Sequence, residues 1–62
     1  MKYYYWVVYS TDSGVGTVEI HINNPITSAK QIGDIAKWIE NKNGFVKVAI
    51  TNFIFLREES DS

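Results

Sequence analysis

His21 is the single histidine of the chain, and Glu19 lies two residues before it. Residues two apart on a β-strand point to the same face, so the Glu19 carboxylate is placed to orient the imidazole ring. Catalysis by such a pair also needs a nucleophile or a metal ion, and none is apparent in a chain without cysteine. An exposed polar strand face explains both residues. We therefore expect a non-enzymatic protein with no catalytic residue, no metal site and no cofactor.

The stretch Ser13-Gly14-Val15-Gly16 has the glycines of a phosphate-binding loop, but it lacks the Gly-Lys-Ser/Thr ending and precedes a strand. The net charge is −1, and Glu58, Glu59 and Asp61 contribute −3, so the rest of the chain carries −1 − (−3) = +2. That charge is too small to argue for nucleic acid. No stretch approaches the roughly 20 apolar residues that span a bilayer. No signal peptide is evident, and we expect a cytoplasmic protein without a membrane partner.

The elements that must position these residues follow from periodicity. Large side chains on both faces predict a first strand over residues 2–11, and clean alternation predicts a second over 15–23. Ser28 and Gln31 fit a capping box, with Thr27 as the alternative cap, and an apolar stripe follows at helical spacing. The helix is predicted over 28–42, before the Asn43-Gly44 stop, and a third strand over 45–56.

The resulting order is ββαβ, an α+β fold. Because the helix reverses the chain direction, the third strand lies antiparallel to the first, and a sheet order of 2-1-3 explains why the first strand is apolar on both faces. The helix covers one face of this three-stranded sheet. Residues 1–57 then form a single domain, and 58–62 form a disordered acidic tail with nothing to bury.

The hairpin loop decides which side of the first strand faces the helix. A three-residue loop over 12–14 pairs Thr11 with Val15 and turns Tyr4, Trp6 and Val8 inward, whereas a two- or four-residue loop exposes Trp6. We prefer the first, because it buries the indole and leaves tyrosine hydroxyls in water.

With that parity an aromatic surface remains open, with Tyr3 and Tyr5 beside Phe53 and Phe55, and such surfaces usually meet a partner. The expected interaction surface comprises Tyr3, Tyr5, Val7, Tyr9, Lys47, Thr51, Phe53 and Phe55.

Three segments carry a resemblance to a group of proteins. They are the aromatic start over residues 3–9, the Asp12-Ser13-Gly14 turn, and residues 48–53, which follow an amphipathic helix. In these the chain resembles small uncharacterised proteins of phages and mobile elements of Gram-positive bacteria. The resemblance implies an intracellular accessory protein that binds and inhibits a host protein, and it carries over no functional residue.

Taken together, the sequence predicts a protein–protein interaction module. A chain of this size buries only roughly 60% of its unfolded surface, and small domains without staples often gain stability by oligomerising. We expect a homodimer joined by an aromatic sheet face or a strand edge, or a complex with a heterologous protein. The alternative is a weak single-stranded nucleic-acid binder that stacks bases on exposed tyrosines.

Overall fold

A computed structural model describes residues 1–60, which form three strands and one helix. The strands are β1 (Lys2–Thr11), β2 (Gly14–Ile22) and β3 (Val48–Glu59), and the helix is α1 (Ala29–Asn43). The sheet order is β2-β1-β3, and β1 is antiparallel to both of its neighbours. The predicted ββαβ fold, with the first strand in the centre and one helix, is confirmed.

The helix begins and ends where its capping residues predict. Ser28 is the N-cap: its Oγ accepts a hydrogen bond from the Gln31 N–H at 3.5 Å, and Gln31 Oε1 accepts from the Ser28 N–H at 3.0 Å. At the other end Gly44 has a φ of 73°, a left-handed conformation that glycine adopts at little cost, and its N–H donates to the Glu40 carbonyl at 2.9 Å. Both helix ends therefore have partners within the chain.

The hairpin is where the preferred sequence interpretation is wrong. Thr11 pairs with Gly14, so the loop contains two residues, Asp12 and Ser13. The Thr11 hydroxyl holds this turn, because its oxygen accepts from the Ser13 N–H at 3.0 Å and donates to the Gly14 carbonyl at 3.3 Å. Gly14 is the first residue of β2, and its φ of 141° is a backbone conformation that residues with a side chain rarely adopt. Every side chain of β1 consequently lies on the face opposite to the preferred prediction.

The odd-numbered residues of β1 therefore point toward α1. Tyr5 and Val7, predicted for the open face, are buried in the core with Ile20 of β2 and with Ile35 and Ile39 of α1. Tyr3 and Tyr9, predicted beside them, are half-buried against the same core. Trp6, predicted inside, is an exposed residue of the open face.

The third strand starts and ends three residues later than predicted. Phe45 first packs against Tyr9, with ring centroids 6.1 Å apart, and the Val48 N–H then donates to the Glu40 carboxylate at 3.0 Å. At the far end Glu58 and Glu59, expected in a disordered tail, belong to β3, because they pair with the first residues of the central strand. Of the remainder of the predicted tail, Ser60 follows the strand and residues 61–62 lie outside the described residues.

Two β-bulges interrupt the pairing of β3 with β1. The register shifts between Val8 and Tyr9 and again between Tyr4 and Tyr5, so Thr51 and Leu56 are each an extra residue in β3. The first bulge changes which residues of β3 face the helix, from even-numbered before it to odd-numbered after it. Phe53 lies opposite Val7, on the helix side of the sheet.

The space around two glycines provides a test of the hairpin register. A Cβ at Gly16 would lie 2.6 Å from the ring of Tyr9, which packs over this glycine, whereas a Cβ at Gly33 of α1 would meet nothing within 4 Å. We expect Gly16→Ala to lower the free energy of unfolding by about 1–3 kcal/mol, because the tyrosine ring must move. Gly33→Ala should instead raise it by about 0.5–1 kcal/mol, as for glycine in an exposed helix interior.

Urea unfolding followed by far-ultraviolet circular dichroism, with both variants at one protein concentration, measures the two changes. Equal stability of Gly16→Ala and the native chain would contradict the register, because the predicted three-residue loop would not place Gly16 under Tyr9.

Candidate interaction surface

Four consecutive large apolar residues are exposed near the end of β3. Phe53, Ile54, Phe55 and Leu56 have relative exposures of 37, 51, 50 and 43%. We call these residues the β3 apolar segment. The segment belongs to a longer run, residues 51–60, in which every residue is exposed. Contiguous exposed apolar surface of this kind usually marks a contact with another molecule.

The exposure follows from the lengths of the elements. A helix of 15 residues is about 22 Å long, whereas a strand of 12 residues extends to about 40 Å. The helix C-terminus is anchored at the beginning of β3 by the hydrogen bond between Glu40 and Val48. The far end of β3 therefore extends beyond the cover that α1 provides.

The rings of the β3 apolar segment rest on the core at one side only. Phe53 and Phe55 lie opposite Val7 and Tyr5, and both rings meet the Tyr5 ring edge-on, with centroids 5.9 and 5.5 Å away. Such edge-to-face pairs are favourable geometries for aromatic rings. The predicted adjacency of Tyr5 to these phenylalanines is confirmed, but it occurs on the helix side of the sheet. Tyr5 is thus the support beneath the surface and not part of it.

The backbone of the same segment faces outward at alternate residues. Thr11 and Gly14 flank a two-residue loop and form a hydrogen-bonded pair, so the odd-numbered residues of β1 bond to β2 and the even-numbered ones to β3. Ile54, opposite Trp6, therefore bonds to β1. The N–H and C=O groups of Phe53 and Phe55 point to the outer edge of the sheet.

A side chain already occupies part of this outer edge. Asn52 Oδ1 accepts a hydrogen bond from the Phe53 N–H at 2.9 Å, which agrees with an outward direction for that amide. The bulges at Thr51 and Leu56 flank residues 52–55 on both sides. A regular stretch of strand edge thus lies between the two bulges, at the position where the exposed rings are found.

The open face of the sheet has a different character. The Arg57 guanidinium lies 4.1 Å from the centre of the Tyr4 ring, and His21 contacts the same ring with centroids 5.5 Å apart. Arg57 also forms ion pairs with Glu59 at 2.6 Å and with Glu19 at 3.2 Å. The hydrogen bond to Glu59 is the main cause that raises the pKa of the guanidinium above its ordinary value. Glu19 is thus engaged with Arg57, and this face presents a neutralised polar network.

The structure separates the predicted surface residues into groups. Tyr5 and Val7 are core residues, and Tyr3 and Tyr9 are half-buried around them. Lys47 precedes β3, and Thr51 occupies a bulge, where its hydroxyl donates to the Val8 carbonyl at 3.2 Å. The residues that remain exposed and apolar, as predicted, are Phe53 and Phe55.

The interaction surface predicted from the sequence did not include Ile54 and Leu56, two residues of the β3 apolar segment. The signal was present, because four successive apolar residues in a strand are apolar on both faces whatever the parity.

A second surface feature is a groove of about 560 Å³ between β2 and α1. It exists because α1 packs closer to β3 than to β2. Ile20, Ile35 and the half-exposed Trp38 line it, with Asp34 and Lys42 among the polar groups. Lys42 lies over the Trp38 ring at 4.8 Å from its centre and covers part of it. The Lys42 ammonium therefore shields one side of the indole within the groove.

No protein-family model matches the chain, and no significant match was found among curated proteins or solved structures. Within residues 1–60, the helix falls short of the length and apolarity that crossing a membrane requires.

The Tyr5 hydroxyl provides a test of whether this ring belongs to the core or to the surface. It accepts a hydrogen bond from the Ile26 N–H at 2.9 Å, in a partly buried position. We expect Tyr5→Phe to lower the free energy of unfolding by about 1–2 kcal/mol, because the Ile26 amide loses its partner. Tyr4→Phe, at a ring of the open face, should change it by less than about 0.5 kcal/mol. Urea unfolding of both variants measures the difference, and equal effects would contradict the assignment of Tyr5 to the core.

Proposed function

We propose that this chain is a non-enzymatic protein–protein interaction module that forms a homodimer through the outer edge of β3. The observation that carries the proposal is the β3 apolar segment. It combines four exposed apolar side chains with backbone groups that point away from the sheet. Edge strands of this kind pair readily with another strand, and natural proteins usually protect them with charges, prolines or cover.

The size of the core supports association. Among the residues that the structure describes, the core consists of five buried apolar side chains, those of Tyr5, Val7, Ile20, Ile35 and Ile39. The four side chains of the β3 apolar segment lie outside that core and still contact water. A second strand at the β3 edge would bury them and pair the backbone at the same time, which is how strand addition combines affinity with register.

The open face gives less support to nucleic-acid binding. Stacking of bases requires free rings and unneutralised cations. Tyr4 is covered by Arg57, whose charge is balanced by Glu19 and Glu59. Trp6 and His21 are the exposed rings of this face. The nucleic-acid alternative consequently rests on an indole and an imidazole and not on the several tyrosines that the sequence suggested.

The same strand edge also fits a heterologous protein that offers its own edge strand. An accessory protein that inhibits a host protein would use the surface in this way. We place the homodimer first because the chain supplies both halves of such an interface by itself.

A lysine within the β3 apolar segment tests the homodimer. We expect the wild-type chain to sediment as a dimer at high micromolar concentration. Ile54→Lys should raise the dissociation constant of the dimer at least tenfold, because dimerisation would bury the charged lysine at the strand edge. The matched control is Val15→Lys, at a 75% exposed valine of β2, which should leave the dimer intact. Sedimentation equilibrium over a concentration series measures the dissociation constants, and circular dichroism verifies that both variants fold.

A wild-type chain that remains monomeric across the series would contradict the homodimer and leave the surface to a heterologous partner. Binding of a fluorescent single-stranded oligonucleotide that declines steeply with salt would instead favour the nucleic-acid alternative.

A further inference from the structure

We infer the register of the dimer: the β3 strands of two copies pair antiparallel, with the molecular two-fold axis at Ile54. This inference rests on the proposed function, and it adds the geometry by which one copy recognises the other. In this register Ile54 faces the partner's Ile54, and Phe53 faces the partner's Phe55. The occupant of the surface is thus β3 of a second copy, whose residues 53–55 face the same three residues of the first.

Backbone hydrogen bonding selects the parity. Phe53 and Phe55 have outward N–H and C=O groups, whereas Ile54 bonds inward to β1 opposite Trp6. Antiparallel strands alternate between pairs that exchange hydrogen bonds and pairs that do not. An axis at Ile54 makes Phe53 and the partner's Phe55 a hydrogen-bonded pair, and Ile54 a non-bonded pair with its own copy. In the free chain Asn52 Oδ1 accepts a hydrogen bond from the Phe53 N–H. In the dimer the carbonyl oxygen of the partner's Phe55 would accept this hydrogen bond instead.

Side-chain complementarity selects among the registers of that parity. Moving the axis to Phe53 would place Phe55 opposite the partner's Thr51. Moving it to Phe55 would place Phe53 opposite the partner's Arg57. With the axis at Ile54 each of the three central residues faces an apolar residue. Facing residues lie on the same side of the sheet, so the phenylalanines of both copies gather on the helix side and the isoleucines on the other.

The charges agree with this register. Glu58 and Glu59 of one copy lie opposite the partner's Ile50 and Ala49, so no acidic residue faces another. The partner's Lys47 lies two residues before its Ala49 and therefore comes close to this acidic end. An axis near the end of the strand, at Glu58, would instead place like charges directly opposite each other, which destabilises strand pairs.

The register also defines the assembly. A two-fold axis perpendicular to the sheet keeps both helices on one face of a continuous six-stranded sheet. The β3 strands become its two central strands, and the β2 strands become its outer edges. The phenylalanine rings of both copies lie between the two helices, in the region that neither helix covers alone.

The chain contains no cysteine, so a single introduced cysteine reports the register directly. Non-bonded antiparallel pairs have Cα atoms about 4.5 Å apart, within the range of a disulfide. We expect Ile54→Cys to form a disulfide-linked dimer under mild oxidation. Asn52→Cys, on the same face, should not cross-link, because the two copies of residue 52 would lie about 13 Å apart. Non-reducing electrophoresis and mass spectrometry measure both.

Cross-linking of Ile54→Cys and not of Asn52→Cys supports the register. Cross-linking of Asn52→Cys, or of neither variant, in a chain whose wild type sediments as a dimer overturns the register and leaves the proposed function standing. A monomeric wild type overturns both. If Ile54→Cys fails to fold, a mixture of ¹³C-labelled and unlabelled wild type replaces it: filtered nuclear Overhauser effects between Ile54 and the partner's Ile54 support the register, and their absence in a dimer overturns it.

Discussion

One helix of about 22 Å must cover a molecule that is 38 Å long, and this difference in length determines which side chains stay exposed. The helix is fixed at the start of β3 by the hydrogen bond between Glu40 and Val48, and the loop before it is fixed to β1 by the hydrogen bond of the Ile26 amide to the Tyr5 hydroxyl. The side chains that it leaves uncovered are those of the β3 apolar segment. A fold with this helix keeps an apolar strand end in water unless another chain covers it.

The protein handles its two sheet edges differently. On β2, Glu19 forms an ion pair with Arg57 across the open face, and polar residues alternate with apolar ones along the strand. On β3, the bulges and Asn52 restrict the edge without removing its apolar character. Devices that protect an edge normally add charge or remove backbone groups from reach. The partial protection of β3 suits an edge that pairs with one defined strand and discourages longer, unspecific pairing.

The sequence was sufficient for the fold and for part of the surface. Caps at Ser28 and Gly44 and two distinct periodicities determine the elements, and the two-sided first strand determines the sheet order. The orientation of β1 was not determined, because Asp12-Ser13-Gly14 fits loops of two or three residues and β1 is apolar on either face. The preference for a buried Trp6 was wrong because the loop has two residues, and in this parity the Tyr5 hydroxyl accepts a hydrogen bond from the Ile26 amide.

Two residues show what limited the prediction of the surface. Gly16 lies under the ring of Tyr9, and this pairing of a large with a small residue was the sequence signal for the correct register. Thr51 forms a bulge that the periodicity of the sequence does not indicate. Because of this extra residue, Phe53 and Phe55 lie on the helix side of the sheet. Their proximity to Tyr5 was predictable from antiparallel pairing, whereas their face was not.

We propose above that a second copy pairs with the outer edge of β3. Hydrogen exchange of the Phe55 amide in the unmodified chain tests this pairing directly. This amide points out of the sheet, while the amide of Ile54 bonds to β1. Residue-resolved hydrogen exchange by NMR, repeated over a dilution series, measures both. Pairing of two copies at this edge should make exchange of the Phe55 amide slow at high micromolar concentration and fast on dilution, with the Ile54 amide protected throughout. Fast exchange of Phe55 at every concentration, with Ile54 still protected, would contradict it.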